Sequence, residues 1–390
     1  MTDKRMKFLA EAGCLLFCFT LAGCSVYELF AGSISPSTEG RALIGTVLPR
    51  GRLLLQICFW ILSAAECFKD LRRGLPCIVL CALHSFLKLP LPLFYLIQMC
   101  LLCLLSNFST VRRNIVSWLA AHALFFLVLL VLLHRGVVTD VLMSSDKTSL
   151  PLGDGHSFGM IHPNSIGVML LSCSLACWLL WRPQRWWLSL IAFLAVAYFT
   201  LWVSLSRTSA FLLAAFPFLS FAVLWIEKKL RNDQSKTLYA AAVPFCMLIL
   251  TLILGYVSPD GGHSSNFWWR FQDIHVFQDY GITLFGIGTL TGPWYYLDNI
   301  YLYLLVYIGV VPFLLYLLLY SLMQVHLIKT GRIEMLAVSI LFLIYGLMEH
   351  VGIYSTFFIV PLIAFAPERP EPFRPRLPAA EGSAAPDTPA

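Results

Sequence analysis

Twelve apolar runs, each bounded by charged or turn residues, account for most of this chain. They fall at 8–30, 53–68, 75–87, 91–105, 115–133, 165–181, 186–205, 210–226, 238–257, 300–323, 335–348 and 353–365. About 20 apolar residues in a helix cross the hydrocarbon core of a bilayer. Lipid offers backbone groups no hydrogen bonds, so each crossing segment must satisfy its own. The runs therefore predict an all-α polytopic membrane protein of about twelve transmembrane helices, the third, fourth and eleventh of them short. Composition agrees: 12% of residues are charged, against about a quarter in an ordinary soluble domain, and the mean hydropathy is +0.78.

Charge orders these helices. With the N-terminus (Lys4, Arg5, Lys7) in the cytoplasm, every second loop is basic: Lys69/Arg72/Arg73, Arg112/Arg113, Arg182/Arg185, Lys228/Lys229/Arg231/Lys236, Lys329/Arg332, and the tail with Arg369, Arg374 and Arg376. This is the positive-inside pattern, and one helix more or fewer in mid-chain would destroy it. The net charge of +6 is thus read as topology, not as affinity for nucleic acid. Residues 1–366 form a single helix-bundle domain, and the Pro- and Ala-rich stretch 367–390 a disordered cytoplasmic tail. The basic, then apolar N-terminus reads as an uncleaved first span, not a signal peptide. Its "LAGC" at Leu21–Cys24 resembles a lipoprotein processing site, but so short a match arises by chance and is read as a cysteine within a helix. All twelve cysteines lie in or beside apolar runs, as small core hydrophobes.

The same topology gathers the remaining polar residues on the outer face, in loops 135–164 and 258–298 and two short turns. "SLSRTS" puts Arg207 between two helices, where the choice is between a snorkelling surface cation and a ligand-binding one. Arg270 lies among Trp268, Trp269, Asp273, His275 and Asp279, in a loop whose aromatic rings suit either a lipid interface or a sugar-stacking surface. An arginine carries a permanent charge and a planar fork of donors matched to phosphate. Two of them beside His156, His162, His275 and His350 would suit a diphosphate. In "FGMIHPNSIG", Pro163 suits a first helical turn, with Asn164 or Ser165 as its cap; His162 and Asn164 are either helix-start residues or ligand contacts. Glu349-His350 is either a solvated hairpin tip or an acid/base pair. The paired glycines Gly286 and Gly288 mark a tight loop, approaching a ligand or simply turning. Metal-hydrolase, nucleotide-sugar and Walker motifs are missing, so no metal or other cofactor is expected.

The ordered set "FGMIHPNSIG", "SLSRTSAFLL", "WWRFQDIHVFQDYGITLFGIGTLTG", "LDNIYLYLLVYIGVVPFLLYLLLY" and "YGLMEH" resembles the O-antigen polymerase/ligase superfamily, most closely its Wzy-type bacterial polysaccharide polymerases. The resemblance covers residues 153–365. It implies a GT-C-like helical bundle in the bacterial cytoplasmic membrane, both termini cytoplasmic. It implies a metal-independent glycosyltransferase that joins undecaprenyl-diphosphate-linked oligosaccharide repeat units for O-antigen, capsule or exopolysaccharide, working beside a flippase and a chain-length regulator, with no nucleic acid partner. Carried onto this chain, Arg207 and Arg270 hold the diphosphate and Asp298 or Glu349 is the base; His162, Asn164, Ser206, Thr208, His275, Asn299 and His350 line the substrate site. Arg270 is followed by Gly281 at the polymerase spacing, whereas Arg207 has no matching glycine. Asp298-Asn299 stands where ligases carry His-Asn. Two alternatives stay open: a ligase-type glycan transferase, and a transporter or flippase of lipid-linked sugars.

Overall fold

The computed structural model describes residues 3–32, 34–87, 89–143, 154–181, 186–230, 232–257, 273–288, 297–349 and 364–368. It is an all-α polytopic bundle. In chain order its helices are α1 (Asp3–Gly32), α2 (Thr38–Lys69), α3 (Leu71–Phe86), α4 (Leu91–Leu105), α5 (Val111–His134), α6 (Pro163–Trp181), α7 (Trp186–Ser204), α8 (Arg207–Lys229), α9 (Asp233–Val257), the short α10 (Val276–Tyr280), α11 (Ile300–Tyr307), α12 (Val310–Lys329) and α13 (Ile333–Tyr345). Eight of these are long and apolar enough to cross a membrane: α1, α2, α5 to α9 and α12.

Helix faces show what surrounds the bundle. On α8, Phe211, Phe218, Phe221 and Trp225 recur at helical spacing and are all exposed, while Leu212, Leu213, Phe216 and Val223 are buried. On α5, Leu124, Leu127 and Val131 face outward, opposite buried Trp118, Phe125 and Leu129. A helix apolar on both faces belongs in lipid. With lipid outside, helices associate through close packing at small residues. A Cβ on Gly13 would stand 2.9 Å from Phe108, and one on Gly23 2.8 Å from Leu55. On Gly74 it would come within 2.4 Å of the Cys67 backbone, so α2 and α3 cross there at near contact.

Side-chain caps set several helix starts. Ser37 Oγ accepts from Gly40 N at 3.1 Å, Asp70 Oδ1 from Arg72 N at 3.0 Å and Thr110 Oγ1 from Arg113 N at 3.3 Å. Each satisfies an orphan donor of the first turn. The Ser37 cap begins α2 fifteen residues before the run at Leu53. Arg41, Arg50 and Arg52 lower the hydropathy there but not the helical propensity.

The run 300–323 is not one helix. It breaks at Ile308–Gly309, with Gly309 at φ 86°, and the extended segment 283–288 inserts against the break. Ile287 N donates to Val306 O (3.3 Å), Gly288 N to Tyr307 O (3.1 Å), Val310 N to Thr283 O and Val311 N to Leu284 O (both 3.0 Å). Irregular backbone beside a broken membrane helix has to be satisfied in this way. Gly286 and Gly288 (φ 74° and 72°) make the approach possible, for a Cβ on Gly286 would lie 2.2 Å from Tyr307 O. The paired glycines thus meet the protein's own backbone.

Successive helices run up and down, which separates two ends. At the basic end Arg113 Nη1 lies 3.2 Å from Cys14 Sγ, Asn107 Nδ2 donates to buried Glu66, and Arg332 Nη1 donates to Ala364 O at 3.1 Å. At the opposite end, residues 34–36 pair with 138 and 160 as isolated bridges, and β1 (Leu142–Met143) pairs antiparallel with β2 (Gly155–His156). All twelve cysteines are free.

Candidate functional site

The α6, α8 and α11 starts meet the last turn of α13 at this opposite end, and the segment Tyr345–Glu349 joins them. Asn164 Nδ2 on α6 donates to Glu349 Oε1 at 3.4 Å. Ser209 Oγ on α8 lies 3.3 Å from the Tyr345 hydroxyl, and Ser206 Oγ donates to Ser209 Oγ at 3.0 Å. On α11, Asn299 Nδ2 donates to Leu347 O at 3.1 Å and Ile300 N to Gly346 O at 2.9 Å. Gly167, one turn into α6, allows the closest approach: a Cβ there would stand 2.3 Å from Ser206 Cβ.

Arg207 is the first residue of α8. Only Leu205 and Ser206 separate α8 from α7, and Leu205 takes φ 52°, a left-handed conformation uncommon outside glycine. The corner is tight, and the arginine emerges from it exposed. A cation at a helix N-terminus sits at the positive end of the macrodipole, where it opposes helix stability. The Ser206 hydroxyl does not cap the helix either. Both features concentrate positive potential at the start of α8, where Arg207 is exposed although Leu205, Ser206 and Ser209 are buried. An anion would relieve them.

The carboxylates differ. Glu349 is buried, about 8% exposed, with its backbone N–H on Tyr345 O at 3.0 Å. Asp298 is half-buried and directly precedes the α11 cap. His275 starts α10, whose buried Val276 packs on Leu297 and Val306, placing that helix beside the α11 start. Thr208 is half-buried in the first turn of α8. Arg270 and His350 lie outside the described residues.

Three expected binding residues turn out to be occupied by the protein itself. Asn299 is fully buried; its Oδ1 accepts from Tyr301 N (3.0 Å) and Leu302 N (3.2 Å), and its Nδ2 is used by Leu347. Ser206 is buried under Gly167 and committed to Ser209. His162 Nδ1 accepts from Asn164 N at 3.1 Å, so the histidine rather than Asn164 or Ser165 caps α6. Its ring remains exposed. Sequence reasoning missed Gly167 and Tyr345, which read as ordinary helix interior; Ser209 stood out only as part of the polar stretch 206–209, and its link to Tyr345, 136 residues away, shows only in the fold.

Beside this convergence lies a polar loop. Asp140 Oδ1 accepts from Ser157 N (2.9 Å), Ser157 Oγ (3.1 Å) and Phe158 N (2.8 Å), and its Oδ2 lies 2.7 Å from His156 Nδ1. Burial raises the Asp140 pKa, but the His156, Phe158 and Ser157 donors outweigh it and hold the carboxyl below its ordinary value. Among the described residues no group of three or more His, Cys, Asp or Glu side chains is placed to hold a metal ion. Comparison with protein-family models, curated proteins and solved structures gave no match.

Proposed function

We propose that this chain is a polysaccharide polymerase of the Wzy type, a twelve-span, GT-C-like bundle with both termini in the cytoplasm of a bacterium and its site on the outer face. It joins undecaprenyl-diphosphate-linked oligosaccharide repeat units without a metal or nucleotide. The observation that carries the reading is the convergence of the α6, α8 and α11 starts on the segment Tyr345–Glu349, where Asn164 holds the buried Glu349 carboxylate and α8 begins at exposed Arg207.

That arrangement suits glycosyl transfer from a diphosphate. The leaving diphosphate gains charge as the anomeric carbon–oxygen bond breaks, and Arg207 with the uncapped α8 N-terminus offers fixed donors to receive it. Arg270, from the long loop, is the proposed second cation. Glu349, steadied by Asn164, and Asp298 are the carboxylates available to sugar hydroxyls, as hydrogen-bond acceptors or as base. Buried Glu28, His84 and Gln98 lend some support to a transporter, but they belong to α1, α3 and α4, apart from the convergence.

The test is Arg207→Ala in a strain making the native glycan, with protein levels matched. The expected result is loss of the polymer ladder, with single repeat units still attached to their acceptor; removing one such donor costs ~10²-fold or more in rate. Arg207→Lys, which keeps charge but loses the fork, should retain part of the activity. A full-length ladder from Arg207→Ala would overturn the reading. Repeat units accumulating on the inner leaflet of a deletion strain would favour transport, and complete loss of attachment a ligase.

A further inference from the structure

Cys14 and Cys18 stand one turn apart on α1, and helical residues four apart share a face. That face meets the start of α5. Cys14 Sγ accepts from Arg113 Nη1 at 3.2 Å and lies 3.5 Å from Ser109 Oγ, while Cys18 Sγ lies 3.4 Å from the same hydroxyl. The two sulfurs also touch each other, and Cys18 reaches Ser117 one turn further along α5. Gly13 lets the elements come this close, since a Cβ there would stand 2.9 Å from the Phe108 ring.

Packing alone does not call for such an arrangement, because a cysteine in a helix bundle serves as a small hydrophobe. Two thiols, a bridging hydroxyl and a guanidinium make a chemical site. The thiolate is the nucleophile of cysteine chemistry, and reactive cysteines lie in electropositive, partly accessible surroundings. Arg113 supplies the cation. Glu11 also feels its charge, but both side chains are exposed, so solvent screens that pairing. Cys14 is 6% exposed and Cys18 partly buried, beneath the exposed Arg113. The sulfur is thus one side chain from water, within reach of a small oxidant and closed to bulky reagents.

We propose that Cys14 and Cys18 form a hydroperoxide-reactive dithiol at the basic end of the bundle, with Cys14 the attacking sulfur and Cys18 the resolving one. It rests on no part of the glycan-transfer reading. The Cys14 thiolate attacks one peroxide oxygen; the S–O bond forms as the O–O bond breaks, and the departing hydroxide takes a proton from water. The peroxide is reduced by two electrons and Cys14 becomes a sulfenic acid. Cys18 Sγ then attacks Cys14 Sγ. The S–S bond forms, the S–O bond breaks, and the hydroxide leaves as water with the Cys18 proton. Cβ atoms four residues apart on a helix are about 5–6 Å from each other, against roughly 3.5–4.5 Å across a relaxed disulfide. The product therefore strains α1, and a strained disulfide is readily returned to thiols. While it lasts, it draws Cys14 off Arg113 and loosens α1 from the start of α5.

The experiment treats the full-length protein in detergent with hydrogen peroxide and reads each cysteine by peptide mass. The wild type should form a Cys14–Cys18 disulfide, reversed by dithiothreitol, faster than the exposed Cys177 and Cys246 oxidise. Cys18→Ser should instead accumulate a sulfenic acid on Cys14, trapped by dimedone, and Cys14→Ser should leave Cys18 unoxidised over the same time. Arg113→Gln keeps the backbone N–H that bonds the Thr110 cap but removes the cation, and should slow the first step by about tenfold or more. Arg113→Lys should retain part of the rate. Thermal unfolding identifies variants that fail to fold, with Cys14→Ala and Cys18→Ala as second substitutions. Oxidation of wild-type Cys14 no faster than of Cys177 and Cys246 would overturn the proposal, as would a wild-type rate in folded Arg113→Gln. A Cys14 sulfenic acid that persists in the wild type would overturn the resolving role of Cys18.

Discussion

Replacing Asn299 by alanine should loosen the joint between α11 and α13. The side chain is fully buried and makes three hydrogen bonds: Oδ1 accepts from Tyr301 N and Leu302 N, and Nδ2 donates to Leu347 O. Loss of the cap costs ~1 kcal/mol. The Leu347 carbonyl, deprived of its donor, adds about 1–3 kcal/mol. The expected destabilisation is roughly 2–4 kcal/mol, or about 30- to 900-fold in the folding equilibrium. Asn299→Ser keeps an acceptor for the helix start but cannot span to Leu347, so it should recover only the cap's share. The buried thiols of Cys14, Cys24, Cys58, Cys77, Cys81 and Cys103 make the assay simple: a thiol-reactive fluorophore reports thermal unfolding in detergent as they become exposed. An Asn299→Ala melt matching the wild type would refute the reasoning. So would an Asn299→Ser melt no higher than that of the alanine variant.

Gly167→Ala should cost ~1–3 kcal/mol by overpacking, since its Cβ would meet Ser206 Cβ at 2.3 Å; by shifting the Arg207 corner it should also lower polymerisation beyond the loss of folded protein, measured by melts and glycan ladders together. Gly309→Ala combines φ 86° with a Cβ 2.2 Å from Gly286 N, so the yield of monodisperse protein on size exclusion should fall sharply, while Gly45→Ala, whose Cβ meets nothing within 4 Å, should not change it. The lowered Asp140 pKa means that its stabilising contribution is present above the ordinary carboxylate value of about 3.9 and disappears as pH falls through the lower folded value. Exchange of the Ser157 and Phe158 amides, which donate to Asp140, should therefore lose protection in that acidic window in the wild type, whereas Asp140→Asn, whose amide oxygen still accepts but does not titrate, should show no such step.

Much of the bundle was legible because lipid imposes one secondary structure and one sign of residue on long stretches. The run 91–105 coincides with α4, and 165–181 with α6 to within two residues. Where the reading failed, hydropathy was blind to the deciding interaction. It could not see α2 continue through three arginines, because surface cations do not end a helix. It could not see the break at Gly309, because Ile308 and Val310 on either side keep the run apolar. Arg207 was recognisable as a charge out of place, and its position at a helix start follows from the turn at Leu205. Asn299 and Ser206 stand out in the sequence as polar residues beside apolar runs, but a sequence does not show that the one bonds Leu347 and the other Ser209. The link between Asp140 and His156 spans 16 residues and a strand pairing with no hydrophobic alternation to announce it.

The stitch between residues 283–288 and the α11–α12 break has a consequence for the long connection between α9 and α11. It divides that connection into two tethers, one before Thr283 and one after Gly288, each fixed at both ends to the bundle. Insertions or exchanges between related chains can then alter either tether without disturbing the other, so the segment bearing Arg270 can diversify in length while the approach to Asn299 keeps its own. A change within the stitch has no such freedom, since four backbone hydrogen bonds tie it to the α11–α12 break. The connection should accordingly accept grafted sequence on either side of residues 283–288 and reject it between them.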